Sequence, residues 1–190
     1  MSAEISKAQD VVAANMVTNR GSAERVGAGG VFTVTCLDAN GQEKWSDSFH
    51  NLVVNVGLQD MNAKYFTSVG FTAAWYLGLV DGASAPTYAA ADTLASHAGW
   101  TENTAYVGTR KAVTFGSPTL ADPSVINNSG SAAVFTMSTN GTVIAGAFLT
   151  NAVSGTSGIL FSVGNFTGGN KSVDAGDTLN VTYQFSLDAA

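Results

Sequence analysis

Cysteine, histidine, proline and charge are all scarce in this chain, and each shortage removes a class of explanation. The single cysteine, Cys36, allows no intrachain disulfide and no cysteine cluster for zinc. It lies between Thr35 and Leu37 in an apolar stretch and reads as a small buried hydrophobe. Two histidines, His50 and His97, leave little material for acid–base or nucleophilic catalysis. Charged residues are only 12% of the chain, and 8 Lys+Arg against 14 Asp+Glu give a net charge of −6. Phosphate neutralisation needs the opposite sign, so no nucleic-acid partner is expected. No run approaches the ~18 consecutive apolar residues of a membrane-spanning helix, so no membrane partner is expected either. Met1-Ser2-Ala3-Glu4 lacks the basic start and apolar run of a secretory signal. Synthesis in a cytoplasm is the expectation.

Against three prolines stand 21 glycines and a hydrophobic share of 45% over 190 residues, the profile of one β domain with many turns. Residues 1–29 differ from the rest and read as an N-terminal arm, flexible or ordered by a partner. Within it Lys7 to Met16 has the makings of a short helix, Asn19-Arg20-Gly21-Ser22 stops it, and Gly27-Ala28-Gly29-Gly30 reads as a hinge. From residue 30 to 190 a β domain is expected. Phe32, Val34 and Cys36 alternate with Thr33 and Thr35, Asp38-Ala39-Asn40-Gly41 makes a turn, and Trp45, Asp47 and Phe49 share a face of the returning strand. Leu58, Met61, Tyr65 and Phe66 have helical spacing. The run from Ala73 to Val80 suits a strand buried on both faces. Further strands are expected at Lys111–Phe115, Ala132–Met137, Thr142–Leu149 and Gly158–Val163. In the last one Leu179, Val181, Tyr183 and Phe185 face inward. Without a βαβ rhythm these form two packed antiparallel sheets, a jelly-roll-like sandwich with one short helix.

The chemistry-bearing residues fall short of any known constellation. No Gly-x-Ser-x-Gly elbow accompanies either histidine. His50 reads as a surface or strand-edge residue, and His97, in the long loop from Asp81 to Thr109, as a backbone hydrogen-bonding residue. Asp174 and Asp177 are the nearest carboxylate pair, but with Ala175-Gly176 between them they are turn chemistry. Two carboxylates do not make a calcium site. Gly164 to Lys171 lacks the Gly-Lys-Ser/Thr ending of a phosphate loop. Trp45 and Trp75 read as core. Trp100 is either a sugar-stacking platform or a pin for its loop, and the pin is the simpler reading. No catalytic, cofactor-binding or metal-binding residue is therefore assigned, and no enzyme is expected.

Several segments together resemble small virion structural proteins of tailed bacteriophages: Asn51–Met61 (NLVVNVGLQDM), Thr72–Leu79 (TAAWYLGL), Ala91–Glu102 (ADTLASHAGWTE), Ala112–Gly116 (AVTFG), Phe166–Gly169 (FTGG) and Gly176–Val181 (GDTLNV). The resemblance spans roughly residues 31–187 and leaves the arm unmatched. Its motifs concern packing and turns and transfer no catalytic residue. It implies a capsid decoration (cement) protein that binds and stabilises the major capsid protein lattice on the outer surface of the virion, itself a dimer or trimer. The alternative it implies is a tail or receptor-binding appendage, with the loop of His97 and Trp100 taking a host glycan. A cell-wall hydrolase using Asp174 or His97 is the third, weakest reading.

Overall fold

The structure, a computed structural model, describes residues 26–67, 70 and 74–189. Of the expected arm, residues 1–29, the part from 1 to 25, with its short helix, lies outside the described residues. Twelve strands and one helix follow in order: β1 (Val26–Leu37), β2 (Glu43–His50), β3 (Leu52–Val53), α1 (Asn55–Phe66), β4 (Trp75–Asp81), β5 (Glu102–Asn103) and β6 (Lys111–Val113), then β7 (Ser124–Asn127), β8 (Ala133–Thr136), β9 (Thr142–Thr150), β10 (Leu160–Asn165), β11 (Lys171–Val173) and β12 (Thr178–Ala189). They build the expected two antiparallel sheets, packed as a sandwich. One sheet runs β2-β1-β12-β7, with β8 also on β12; the other runs β3-β10-β9-β4-β5, with β11 on β9 and β6 on β4. The chain changes sheet four times, after β2, β6, β8 and β11.

The alternation of β1 and β12 decides the first sheet. Phe32, Val34 and Cys36 pair with Tyr183, Val181 and Leu179, and all six are fully buried. Their neighbours Thr33, Thr35, Asn180 and Thr182 face outward, so a one-residue slip would reverse both sets. Strands β9 and β10 are buried on nearly every residue, because the first sheet covers one face while α1 and the 81–109 segment cover the other. The two faces correspond to two apolar clusters. The larger lies between the sheets and includes Phe32, Leu77, Phe135, Ile144 and Tyr183; the smaller, with Leu94, Trp100, Phe148 and Leu160, lies on the far side of the second sheet.

One expectation needs correction. Gly27-Ala28-Gly29-Gly30 is not a hinge: these residues lie in the first part of β1, because β12 runs on to Ala189 and pairs with each of them. Continuous antiparallel pairing outweighs the conformational freedom of the glycines there. The helix forms as its spacing indicates, with Met61 packed against the main core but its other large apolar side chains exposed. Tyr65 and Phe66 are 82% and 75% exposed, and the face that seats on β10 is centred on Gly57. A Cβ at Gly57 would stand 2.5 Å from the Phe161 carbonyl oxygen, so the close approach, rather than bulk, fixes the helix's rotation.

Candidate functional site

The Asp174–Asp177 turn joins β11 to β12 through Gly176, whose φ of 89° favours glycine. Asp177 is buried, and its Oδ2 accepts from the Asp174 backbone N–H at 2.9 Å and from Lys44 Nζ at 2.6 Å. Asp174 accepts from the Gly141 N–H at 3.0 Å and lies 3.5 Å from the same ammonium. That Gly141 bond, with a smaller contribution from Lys44, holds the Asp174 carboxyl below the usual range. The Lys44 ammonium thus occupies the point between the two carboxylates where a cation or a substrate proton would have to sit. Among the described residues no group of three or more His, Cys, Asp or Glu side chains is placed to hold a metal.

The same turn lies close to Cys36. Burial, reinforced by the negative charge of Asp177, pushes the Cys36 thiol up to about 11. A nucleophilic cysteine needs the opposite shift.

The long loop after β4 is pinned rather than open. Trp100 is only 5% exposed; its Nε1 donates to Asp92 Oδ2 at 3.1 Å, and its ring lies against Phe148 of the second core cluster. His97 stacks on Trp100 with centroids 4.0 Å apart, and its Nδ1 is 3.0 Å from the Trp100 carbonyl oxygen. Tyr88 approaches the same indole edge-on and donates its hydroxyl to Asn165. Buried and in contact with His97, Phe148 and Tyr88, Trp100 leaves no platform for a sugar. His50 is exposed at the end of β2. Trp45 and Trp75 are partly buried and pack against the main core. Trp45 Nε1 is enclosed without a hydrogen-bond partner among the described residues.

Sequence reasoning passed over a buried arginine that makes four hydrogen bonds. Arg110 lies at the end of the same loop with its side chain 4% exposed. Its Nε and Nη2 donate to Glu102 Oε1 and Oε2 at 2.8 and 2.7 Å, and Nη1 and Nη2 to the carbonyls of Ala152 and Gly155 at 3.0 and 2.9 Å. The guanidinium also covers Phe148 at 5.2 Å from the ring centroid. Every contact is to the protein itself, so the group clamps the 151–159 turn onto β5. Neither charge stands out in the sequence, because the pairing requires the loop to fold first.

Asp47 acts in the same way on the glycine-rich loop after β10. It faces inward on the edge strand β2 and accepts from the backbone N–H groups of Thr167 and Gly168 at 3.2 and 2.9 Å. Lys171 stands 3.7 Å away, and Thr167 Oγ1 donates to the Ser48 carbonyl at 3.1 Å. The loop thereby lies along the outer edge of β2.

One opening in the surface is apolar, while others are lined in part by polar side chains, among them Thr33, Asn127, Thr182 and Gln184. Trp75, Phe115, Ile126, Leu149, Phe161 and Phe185 surround a mouth of about 160 Å³ at one end of the sandwich. Tyr65 and Phe66 form an edge-to-face pair on the exposed end of α1. Among the described residues no helix is long and apolar enough to cross a membrane. Such an arrangement can bind through shape and apolar contact. No family model, curated protein or solved structure matches the chain.

Proposed function

We propose that this chain is a structural protein of a tailed-bacteriophage virion, a decoration (cement) protein that binds the major capsid protein lattice on the outer surface of the head. One observation carries the reading. In the acidic turn and the long loop, the groups able to do chemistry are bound by the fold itself: Lys44 on the acidic turn, Asp92 and His97 on Trp100, Glu102 on Arg110. The large side chains left uncommitted are apolar and exposed, as attachment to another surface requires. The motif resemblance to virion structural proteins supports the same assignment, and a shell protein needs a stable fold and a contact surface rather than a reaction centre. Repetition over a symmetric lattice would multiply weak contacts into durable attachment, more so if the protein is a dimer or trimer. Counting copies in purified virions by quantitative mass spectrometry tests the proposal: stoichiometry with the capsid protein and release on shell disassembly are expected. A few copies that fractionate with isolated tails would refute it.

A further inference from the structure

We propose that Asn40, in the turn between β1 and β2, is a site of spontaneous deamidation, and that the fold withholds the same ring closure from Asn140 and Asp81. The reaction begins when the backbone nitrogen after an asparagine attacks the side-chain carboxamide carbon. A glycine at that following position, having no Cβ, leaves the approach open. Asparagine precedes glycine twice in this chain, at Asn40–Gly41 and Asn140–Gly141. Aspartate, which closes the same ring with loss of water, precedes glycine at Asp81–Gly82.

The three differ in what each must break. Asn140 Oδ1 accepts from the Ala175 N–H at 2.9 Å, and the Gly141 N–H donates to Asp174 Oδ1 at 3.0 Å. Both reacting groups are thus held by the β11–β12 turn, distant in sequence. Asp174 is a poor base for the Gly141 proton, because its carboxyl lies below the usual range, so the bond restrains that nitrogen. The Gly82 N–H donates to the Val143 carbonyl at 2.9 Å, while Asp81 accepts from the Ala83 N–H at 2.9 Å and from Asn103 Nδ2 at 2.6 Å. Asn40 has no such anchor. It is exposed, its Oδ1 accepts from no described residue, and its Nδ2 stands 3.5 Å from Asp38 Oδ2. The Gly41 N–H donates at 2.9 Å to the Asp38 carbonyl, within the same turn. A Cβ at Gly41 would meet nothing within 4 Å, so the ring has room to form. Closure at Asn40 therefore disturbs only its own turn, whereas closure at Asn140 or Asp81 breaks bonds to another part of the chain.

In the first step the Gly41 nitrogen bonds to Asn40 Cγ. The proton it loses leaves with the carboxamide nitrogen as ammonia, and a cyclic imide remains. Water then adds to one of the two ring carbonyls and breaks its bond to that nitrogen, leaving aspartate or isoaspartate in place of Asn40. Each event adds a negative charge beside Asp38, close to the acidic turn, whose Gly176 lies against Ala39.

The experiment incubates the full chain in mildly alkaline buffer, natively and in urea. Peptide mass spectrometry follows Asn40 and Asn140, and enzymatic methylation of isoaspartyl carboxyls reports Asp81 as well. In the native protein Asn40 is expected to convert about tenfold faster than Asn140, the factor that one or two hydrogen bonds impose on a rate. In urea the two asparagines should convert alike. Asp174→Ala, which releases the Gly141 N–H, should speed conversion at Asn140 severalfold and leave Asn40 unchanged. Asn40→Gln should abolish the acidic species that the native protein accumulates on anion exchange. The proposal is overturned if native Asn140 or Asp81 keeps pace with Asn40, or if Asn40 converts in urea but not in the native protein. A difference between the asparagines that persists in urea also overturns it, since flanking residues and not the fold would then set the rates. An Asn140 rate unmoved by Asp174→Ala refutes the restraint assigned to the acidic turn.

Discussion

Replacing Arg110 with alanine should be among the most damaging single changes in the protein. The guanidinium is almost entirely buried and makes four hydrogen bonds, two of them a bidentate pair with Glu102. Alanine would leave the Glu102 carboxylate, itself largely enclosed, without its counter-charge, and the Ala152 carbonyl without a donor. Breaking a buried pair by removing one partner costs about 3–5 kcal/mol, against the ~0–1 kcal/mol of an exposed pair. The carbonyl of Gly155 lies at an exposed residue and recovers its bond from water, which favours the lower half of that range. Against a total stability of about 5–15 kcal/mol this is a large fraction.

Urea unfolding followed by tryptophan fluorescence provides the assay. With a slope of about 2 kcal/mol/M, a loss of 3–4 kcal/mol moves the midpoint down by roughly 1.5–2 M. The double variant Arg110→Met, Glu102→Leu removes both charges and retains apolar volume, and should recover most of the loss. The reasoning is refuted if Arg110→Ala costs under about 1 kcal/mol, the worth of an exposed pair. It is equally refuted if the double variant is no more stable than the single one.

Three further outcomes follow from the same geometry. Trp100→Ala should cost about 3–5 kcal/mol by thermal or urea unfolding, because the indole is a buried core side chain, while Trp100→Phe should cost about 1–2 kcal/mol by removing the indole N–H from Asp92, whose Oδ2 keeps the Ala89 N–H. Asp177→Ala should destabilise by about 1.5–3 kcal/mol, since the buried carboxylate accepts from both Lys44 and the Asp174 backbone, and exposed Asp174→Ala by clearly less; equal losses would contradict the assignment of Asp177 as the anchor. Cys36 in the native protein should resist thiol reagents at pH 8 and react only as fast as the protein unfolds; because its acid form is favoured up to about 11, its contribution to stability is complete below pH 9 and declines as pH rises towards 11. Unfolding midpoints of wild type and Cys36→Ala across pH 8–11 would show the difference, and labelling of the native thiol at the rate of a free cysteine would refute it.

The fold was legible wherever burial imposed a period. In β12 the alternation of Leu179, Val181, Tyr183 and Phe185 with polar residues states both the strand and its inward face. The continuous apolar runs of β4, β9 and β10 mark strands covered on both sides, as the structure shows them to be. The short strands β5, β7 and β11 carry no such signal, because two to four residues are too few to show a period and pairing with β4, β12 and β9 creates them. Helix α1 was readable as a helix but not in its rotation, since a contact made through Gly57 is invisible to a search for large apolar residues. The structural roles of Asp177, His97 and Trp100 were readable locally, each bonding within about eight residues; Lys44, 133 residues from Asp177, was not.

The distribution of charge explains why such a sparsely charged chain holds its loops so firmly. Lys44, Asp47, Asp92, Glu102, Arg110 and Asp177 each tie a loop or turn to a strand or to another part of the chain, at or beneath the surface. A charge used in this way is partly desolvated, and it is retained only where several fixed donors or acceptors meet it. The loops that join the strands gain order from these few side chains instead of from disulfides, which a single cysteine cannot supply. The outer face of the first sheet is left with hydroxyls and amides, Thr33 bonded to Ser48 at 2.7 Å and Thr35 to Ser46 at 3.1 Å across the strands. Pairs of this kind stabilise the sheet surface without adding charge. Within the described residues, the surfaces already formed for contact are the apolar mouth and the aromatic end of α1.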